Sequence, residues 1–173
     1  AELYEYVEQA RTFKKLKENF QNPEKKFPYH SGIISNTALN ELFLSCLDRT
    51  ARYTESSWLM VFNLKNSATL REDYGEDIQD QATEWMANHL IRLRRQSDIM
   101  ARTGQSEYTI LIQRPAFKSE PLDAAKRFRA SFLQHNCSDI PAPGASPVTL
   151  DIKIHVVELP TARTVFDETV VRP

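Results

Sequence analysis

The chain has 173 residues, 41% of them hydrophobic, enough for one domain with a full core and an appended helix. A formal net charge of -1 with 26% charged residues gives no global pull toward DNA, RNA or an anionic membrane, so any nucleotide it binds must meet a local site. Cys46 and Cys137 form no C-x-x-C and read as reduced thiols, the four scattered histidines form no H-x-x-x-H pair, and no metal site is expected.

No apolar run is long enough to span a bilayer and no secretory signal is present, so this segment is expected to be cytoplasmic, without direct membrane insertion. A first residue of Ala1 suggests part of a longer, membrane-associated or sensor-bearing protein. Residues 2 to about 20 place Leu3, Val7, Ala10, Phe13, Leu16 and Phe20 three or four apart, the stripe of an amphipathic helix that needs a partner. "QNPEKKFP", with Pro23 and Pro28, breaks it. The division is therefore an N-terminal linker helix over 1–27 and one domain over 28–173.

Asn36 is a candidate N-cap for a helix carrying Leu39, Leu42, Phe43, Cys46 and Leu47 to about Arg52. "SWLMVFNL" (57–64) is nearly all apolar and suits a central strand buried on both faces. An acidic, Gly-containing loop follows. Its Glu72, Asp73, Glu76, Asp77 and Asp80 lack the ligand spacing of a calcium loop and read as solvated loop and helix N-terminal charge. A helix marked by Ile78, Ala82, Trp85, Met86, Leu90 and Leu93 ends on Arg92, Arg94 and Arg95. "DIMART" and "EYTILIQ" around "TGQS" predict a hairpin, Leu122 to His135 another helix, and "VTLDIKIHVVEL" a final strand. Helices alternating with strands and one hairpin predict an α/β sandwich with a central mixed sheet flanked by helices.

This order of elements resembles the GGDEF domain, the fold of diguanylate cyclases, over residues 28 to 160. "HSGIISN" (30–36) occupies the place of the family's L-T-G-L-x-N-R, keeping Gly32 and Ile33. "FNLKNSATLREDYGEDIQD" (62–80) stands where the family has D-x-D-x-F-K-x-x-N-D-x-x-G-H-x-x-G-D, retaining Tyr74, Gly75 and Asp80. "RTGQSEY" (102–108) corresponds to R-Y-G-G-D-E-F.

The resemblance implies a cyclase that condenses two GTP with divalent cations held by carboxylates. The corresponding positions here are Asn63 and Ser106, neither charged, with Glu107 the one carboxylate left from the signature. Arg71 replaces the guanine-reading Asn, Ala68 the phosphate-side Lys, and Gln105, after Gly104, the second signature Gly. These losses argue against turnover, and no cofactor is expected.

Another part of the pattern is kept. In the family an Arg-x-x-Asp pair, six residues from its Asp to the signature Gly, forms the inhibitory site that binds cyclic di-GMP, and Arg95, Asp98 and Gly104 keep that spacing. A guanidinium fork can read guanine O6 and N7, and a carboxylate can accept from its N1-H and amine. The resemblance also implies an Arg from the helix after the signature, supplied by Arg127 in "AKRFR", with Arg94 beside the pair.

The expectation is a catalytically inactive GGDEF domain that receives cyclic di-GMP, as a homodimer in a larger signalling or secretion complex, for a bacterial output such as exopolysaccharide secretion, motility or cell cycle. On their own, Arg92, Arg94 and Arg95 also fit the solvated basic last turn of a helix, and Asp98 a residue paired locally at a strand start. The alternative is a structural dimerisation or partner-docking module with a vestigial nucleotide site. Ser106 and Glu107 have no His nearby in sequence, so no hydrolase triad is read.

Overall fold

A computed structural model describes residues 33–53, 55–95, 97–113, 119–134, 148–159, 161 and 163–172. The amphipathic stripe of residues 2–20, the Pro-rich connector and Gly32 lie outside them. The elements in order are α1 (Asn36–Tyr53), β1 (Ser57–Leu64), α2 (Ser67–Tyr74), α3 (Glu76–Leu93), β2 (Ile99–Gly104), β3 (Glu107–Gln113), α4 (Glu120–Gln134), β4 (Leu150–Leu159) and β5 (Arg163–Arg172).

The strands form one sheet in the order β2-β3-β1-β4-β5, with every neighbouring pair antiparallel. The α/β sandwich expected from sequence is therefore present, but its five strands are not mixed in direction. The parallel element is a lone bridge between Ile34 and Ala101. Alternation of helix and strand suggested crossovers to parallel neighbours; beside the expected β2-β3 hairpin, β4-β5 forms a second one, and β1 pairs antiparallel with both β3 and β4.

"SWLMVFNL" lies at the centre of the sheet, buried along its length except for the half-buried Asn63. Its even positions Trp58, Met60, Phe62 and Leu64 face α3 and α4, and its odd positions Leu59 and Val61 face α1. Phe62 meets Phe128 of α4 edge to face, with centroids 4.9 Å apart. On the other face, Leu39 and Phe43 of α1 are fully buried against the sheet.

Three local readings change. The Ser35 hydroxyl, one residue before the expected cap Asn36, accepts from the Ala38 N–H at 3.1 Å, the bond of an N-cap to the third helical residue. The expected acidic loop contains α2, which escapes periodicity analysis because Leu70 is its single buried residue. Gly75, at φ 97°, turns α2 into α3, and its N–H is taken by the Arg71 carbonyl at 2.9 Å. No atom crowds a Cβ there, so the positive φ alone favours glycine.

The strand β5 extends beyond the segment read as the last one. Its Phe166 and Val170 are buried, while its charges form ion pairs, Asp167 with Lys153 of β4 at 3.6 Å and Glu168 with Arg129 of α4 at 2.7 Å. Those charges obscured the strand pattern in the sequence. Among the described residues no helix is long and apolar enough to cross a membrane.

Candidate functional site

Two regions carry the residues singled out in the sequence. One is the β2-β3 turn with the end of β1. There Gly104 pairs with Glu107, leaving Gln105 and Ser106 as the turn, and the register shifts between Arg102 and Gly104. Arg102 braces this turn: its Nε donates to the Gly104 carbonyl at 3.2 Å and its Nη2 to the Gln105 carbonyl. A Cβ on Gly104 would stand 3.0 Å from the Glu107 Cβ, a tight contact that favours glycine at this position.

Asn63 is the cross-strand partner of Glu107 on one side and of Lys153 on the other. The Glu107 carboxylate accepts from the Thr103 hydroxyl at 2.8 Å, and Thr103 lies 2.9 Å from the Thr109 hydroxyl. Ser106 is buried and points to the opposite side, where its hydroxyl lies 2.6 Å from that of Ser67 and 3.0 Å from that of Thr83.

The proton directions in that cluster follow from its ends. The Gln79 side-chain amide can only donate to the Ser67 hydroxyl, at 2.8 Å, and the Thr83 hydroxyl donates to the Gln79 carbonyl, at 3.0 Å. Ser67 therefore donates to Ser106, and Ser106 to Thr83. Each hydroxyl gives one hydrogen bond and receives one, so the ring is satisfied without any ion. Ser67, Gln79 and Thr83 were not singled out in the sequence, since isolated hydroxyls and amides carry no periodic signal. Asn66, just before α2, further fixes this end: its amide donates to the Thr149 carbonyl at 2.7 Å and its oxygen accepts from the Asp151 N–H at 3.1 Å.

Tyr108, next along β3, is fully buried and its hydroxyl has no hydrogen-bond partner among the described residues. Burial pushes its pKa up; nearby Arg102 opposes the shift and Glu84 adds to it.

The second region is the corner where α3 ends and α4 begins. Arg94 leaves the helix in extended conformation, and its guanidinium donates to the Asp98 carbonyl at 2.9 Å. Arg95 and Asp98 close a tight turn on each other. The Asp98 N–H donates to the Arg95 carbonyl at 3.0 Å, and the Asp98 carboxylate accepts from the Arg95 N–H at 3.0 Å. Arg127 of α4 reaches the carbonyl of Leu93, the last residue of α3, at 3.4 Å.

Arg94, Arg95, Asp98 and Arg127 thus gather at one corner, although they come from two segments. The corner has a fifth member that sequence reasoning missed: Glu120 pairs through Oε1 with Arg95 Nη1. Its signal was available, because Glu120 precedes Arg127 by two helical turns and so shares its face of α4. Beside it, Ser119 and Pro121 line an open cleft of about 420 Å³ with Trp58, Glu158 and Arg163.

Among the described residues, no group of three or more His, Cys, Asp or Glu is placed to hold a metal ion. At the signature turn the available donors are one amide, hydroxyls bound to one another, and a carboxylate already engaged by Thr103. That set does not fit a pair of hard divalent cations, which need several free carboxylate oxygens.

The family described as diguanylate cyclase, GGDEF domain, matches residues 30–171. A protein of Azorhizobium caulinodans of uncharacterized function is 30% identical over 91 residues, and the match spans 53% of this chain but only 12% of that relative. Among solved structures, the GGDEF domain of TpbB (YfiN) from Pseudomonas aeruginosa superposes with a TM-score of 0.63 at 18% identity, covering 77% of this chain and 76% of that one. The GGDEF domain of DgcB from Caulobacter crescentus, in complex with c-di-GMP, gives 0.61 at 14% identity, covering 80% and 83%. The diguanylate cyclase SiaD of Pseudomonas aeruginosa, in complex with its activator SiaC, gives 0.63 at 17% identity, covering 86% and 55%. At these identities the structures establish a shared fold.

Proposed function

This chain belongs to the GGDEF domain family, and from that premise we propose that it is a cytoplasmic cyclic di-GMP receptor that does not synthesise the nucleotide. The observation that carries the reading is the approach of Arg127 to the end of α3, which brings a third arginine to the Arg95–Asp98 turn. Guanidinium groups at one corner supply forked donors for guanine or phosphate and planes for base stacking. The neutral Ser106 ring and Asn63 support the absence of synthesis, since they leave Glu107 as the one carboxylate of the signature turn where the metal ions that bind a triphosphate need several. DgcB, crystallised with c-di-GMP, and SiaD, crystallised with an activator protein, make both ligand and protein partners reasonable for this chain. A ligand-sensitive homodimer feeding a bacterial output such as exopolysaccharide secretion completes the reading.

A second reading, a dimerisation or docking module, draws on a specific observation as well. Asp98 is committed to its own turn and Arg95 to Glu120, as in a corner that is purely structural. Calorimetric titration with cyclic di-GMP and with GTP, on the protein and on Arg95→Ala, separates the two. The receptor reading expects a cyclic di-GMP isotherm that weakens about fivefold to a hundredfold in the variant, from about 1 to 3 kcal/mol of lost readout. Absence of heat with cyclic di-GMP leaves the docking reading.

A further inference from the structure

We propose that Glu120 is an internal competitor for Arg95, so that a guanine-bearing cyclic dinucleotide must displace this carboxylate to bind the corner; the inference rests on the receptor reading above. The Glu120 carboxylate sits on Arg95 Nη1, a donor of the kind that would meet guanine or a phosphodiester. The two partners are unequally exposed, Glu120 at 16% and Arg95 at 56% of the side chain. The acid is packed into the corner, while much of the guanidinium stays open for a ligand to approach before the acid leaves.

Two features make the exchange reversible. Glu120 lies in the first turn of α4, where the helix dipole favours its charge whether or not Arg95 holds it. Asp98 cannot take over its role, because the Asp98 carboxylate is turned back onto the Arg95 backbone N–H. Arg127, two turns further along α4, attracts the same anionic ligand that Glu120 opposes. Apparent affinity then equals the intrinsic affinity scaled by the fraction of molecules with Glu120 released.

The test titrates cyclic di-GMP into the protein, Glu120→Gln, Glu120→Asp and Asp123→Asn, each shown to be folded by circular dichroism. Glu120→Gln removes the competing charge, whereas Glu120→Asp keeps it but shortens its reach. Asp123→Asn removes an exposed charge from the same helical turn. Binding about two- to fivefold tighter in both Glu120 variants is expected, with Asp123→Asn unchanged. Equal affinity in the protein and both Glu120 variants overturns the competitor role and leaves the receptor reading intact. An equal gain in Asp123→Asn also overturns it, since bulk charge would then suffice. Failure of all four to bind overturns both, and binding by the Glu120 variants alone supports both.

Discussion

The hydroxyls of Ser67 and Ser106 lie 2.6 Å apart, although the residues are separated by 39 positions in sequence. With Thr83 and Gln79 they close a ring in which every hydroxyl is both donor and acceptor. Ser106→Asp puts a carboxylate, which only accepts, into a buried site where Thr83 already donates elsewhere. The variant should lose about 1 to 3 kcal/mol of stability in urea unfolding. With Asn63→Asp added, it should still make no cyclic di-GMP from GTP and Mg²⁺ or Mn²⁺, because Arg71, Ala68 and Gln105 remain. Product above a boiled-protein control, or unchanged stability, contradicts this account of the turn.

Tyr108 offers the opposite substitution. Its hydroxyl is buried with no hydrogen-bond partner among the described residues, so it loses its hydration on folding without replacement. Tyr108→Phe keeps the ring and removes that cost. A gain of up to about 1 kcal/mol in the same unfolding assay is expected. A loss of similar size instead means that the hydroxyl has a partner in solution.

Asp98 holds its turn and, on the receptor reading, also accepts from guanine; different substitutions separate the two. Asn can still accept the Arg95 N–H bond seen at 3.0 Å but offers guanine a donor in place of an acceptor. Asp98→Asn should therefore weaken cyclic di-GMP binding with stability within about 0.5 kcal/mol, whereas Asp98→Ala should also lose about 1 kcal/mol with the turn. Arg127→Ala should weaken binding less than Arg95→Ala. If Asp98→Asn binds normally, Asp98 serves the turn alone.

His155 predicts a pH dependence. Burial pulls its pKa down; Asp167 acts to raise it and Lys153 to lower it, and its Nε2 lies 3.1 Å from the Thr164 hydroxyl. The folded pKa is below the unfolded value near 6.5, so the unfolded chain binds the proton more readily. The His155 contribution is fully present above about pH 6.5 and is lost as pH falls through that value toward the folded pKa. Thermal midpoints between pH 7.5 and 5 should fall more steeply for the protein than for His155→Gln. Parallel curves would assign the acid sensitivity elsewhere.

Features contained within single elements were legible in the sequence. The nearly continuous apolar run of β1 marked a strand buried on both faces, and the alternative reading of Asp98 as a residue paired locally at a strand start matches its bond to the Arg95 N–H, because each reports the local geometry of one segment. Tertiary structure decided what depends on several elements at once: the antiparallel order of the sheet, the polar-faced strand β5, the Ser106 ring and the pairing of Arg95 with Glu120. A hydrogen bond or ion pair between segments has no period along the chain. It forms only after many individually weak packing contacts have placed the helices and strands to within an ångström.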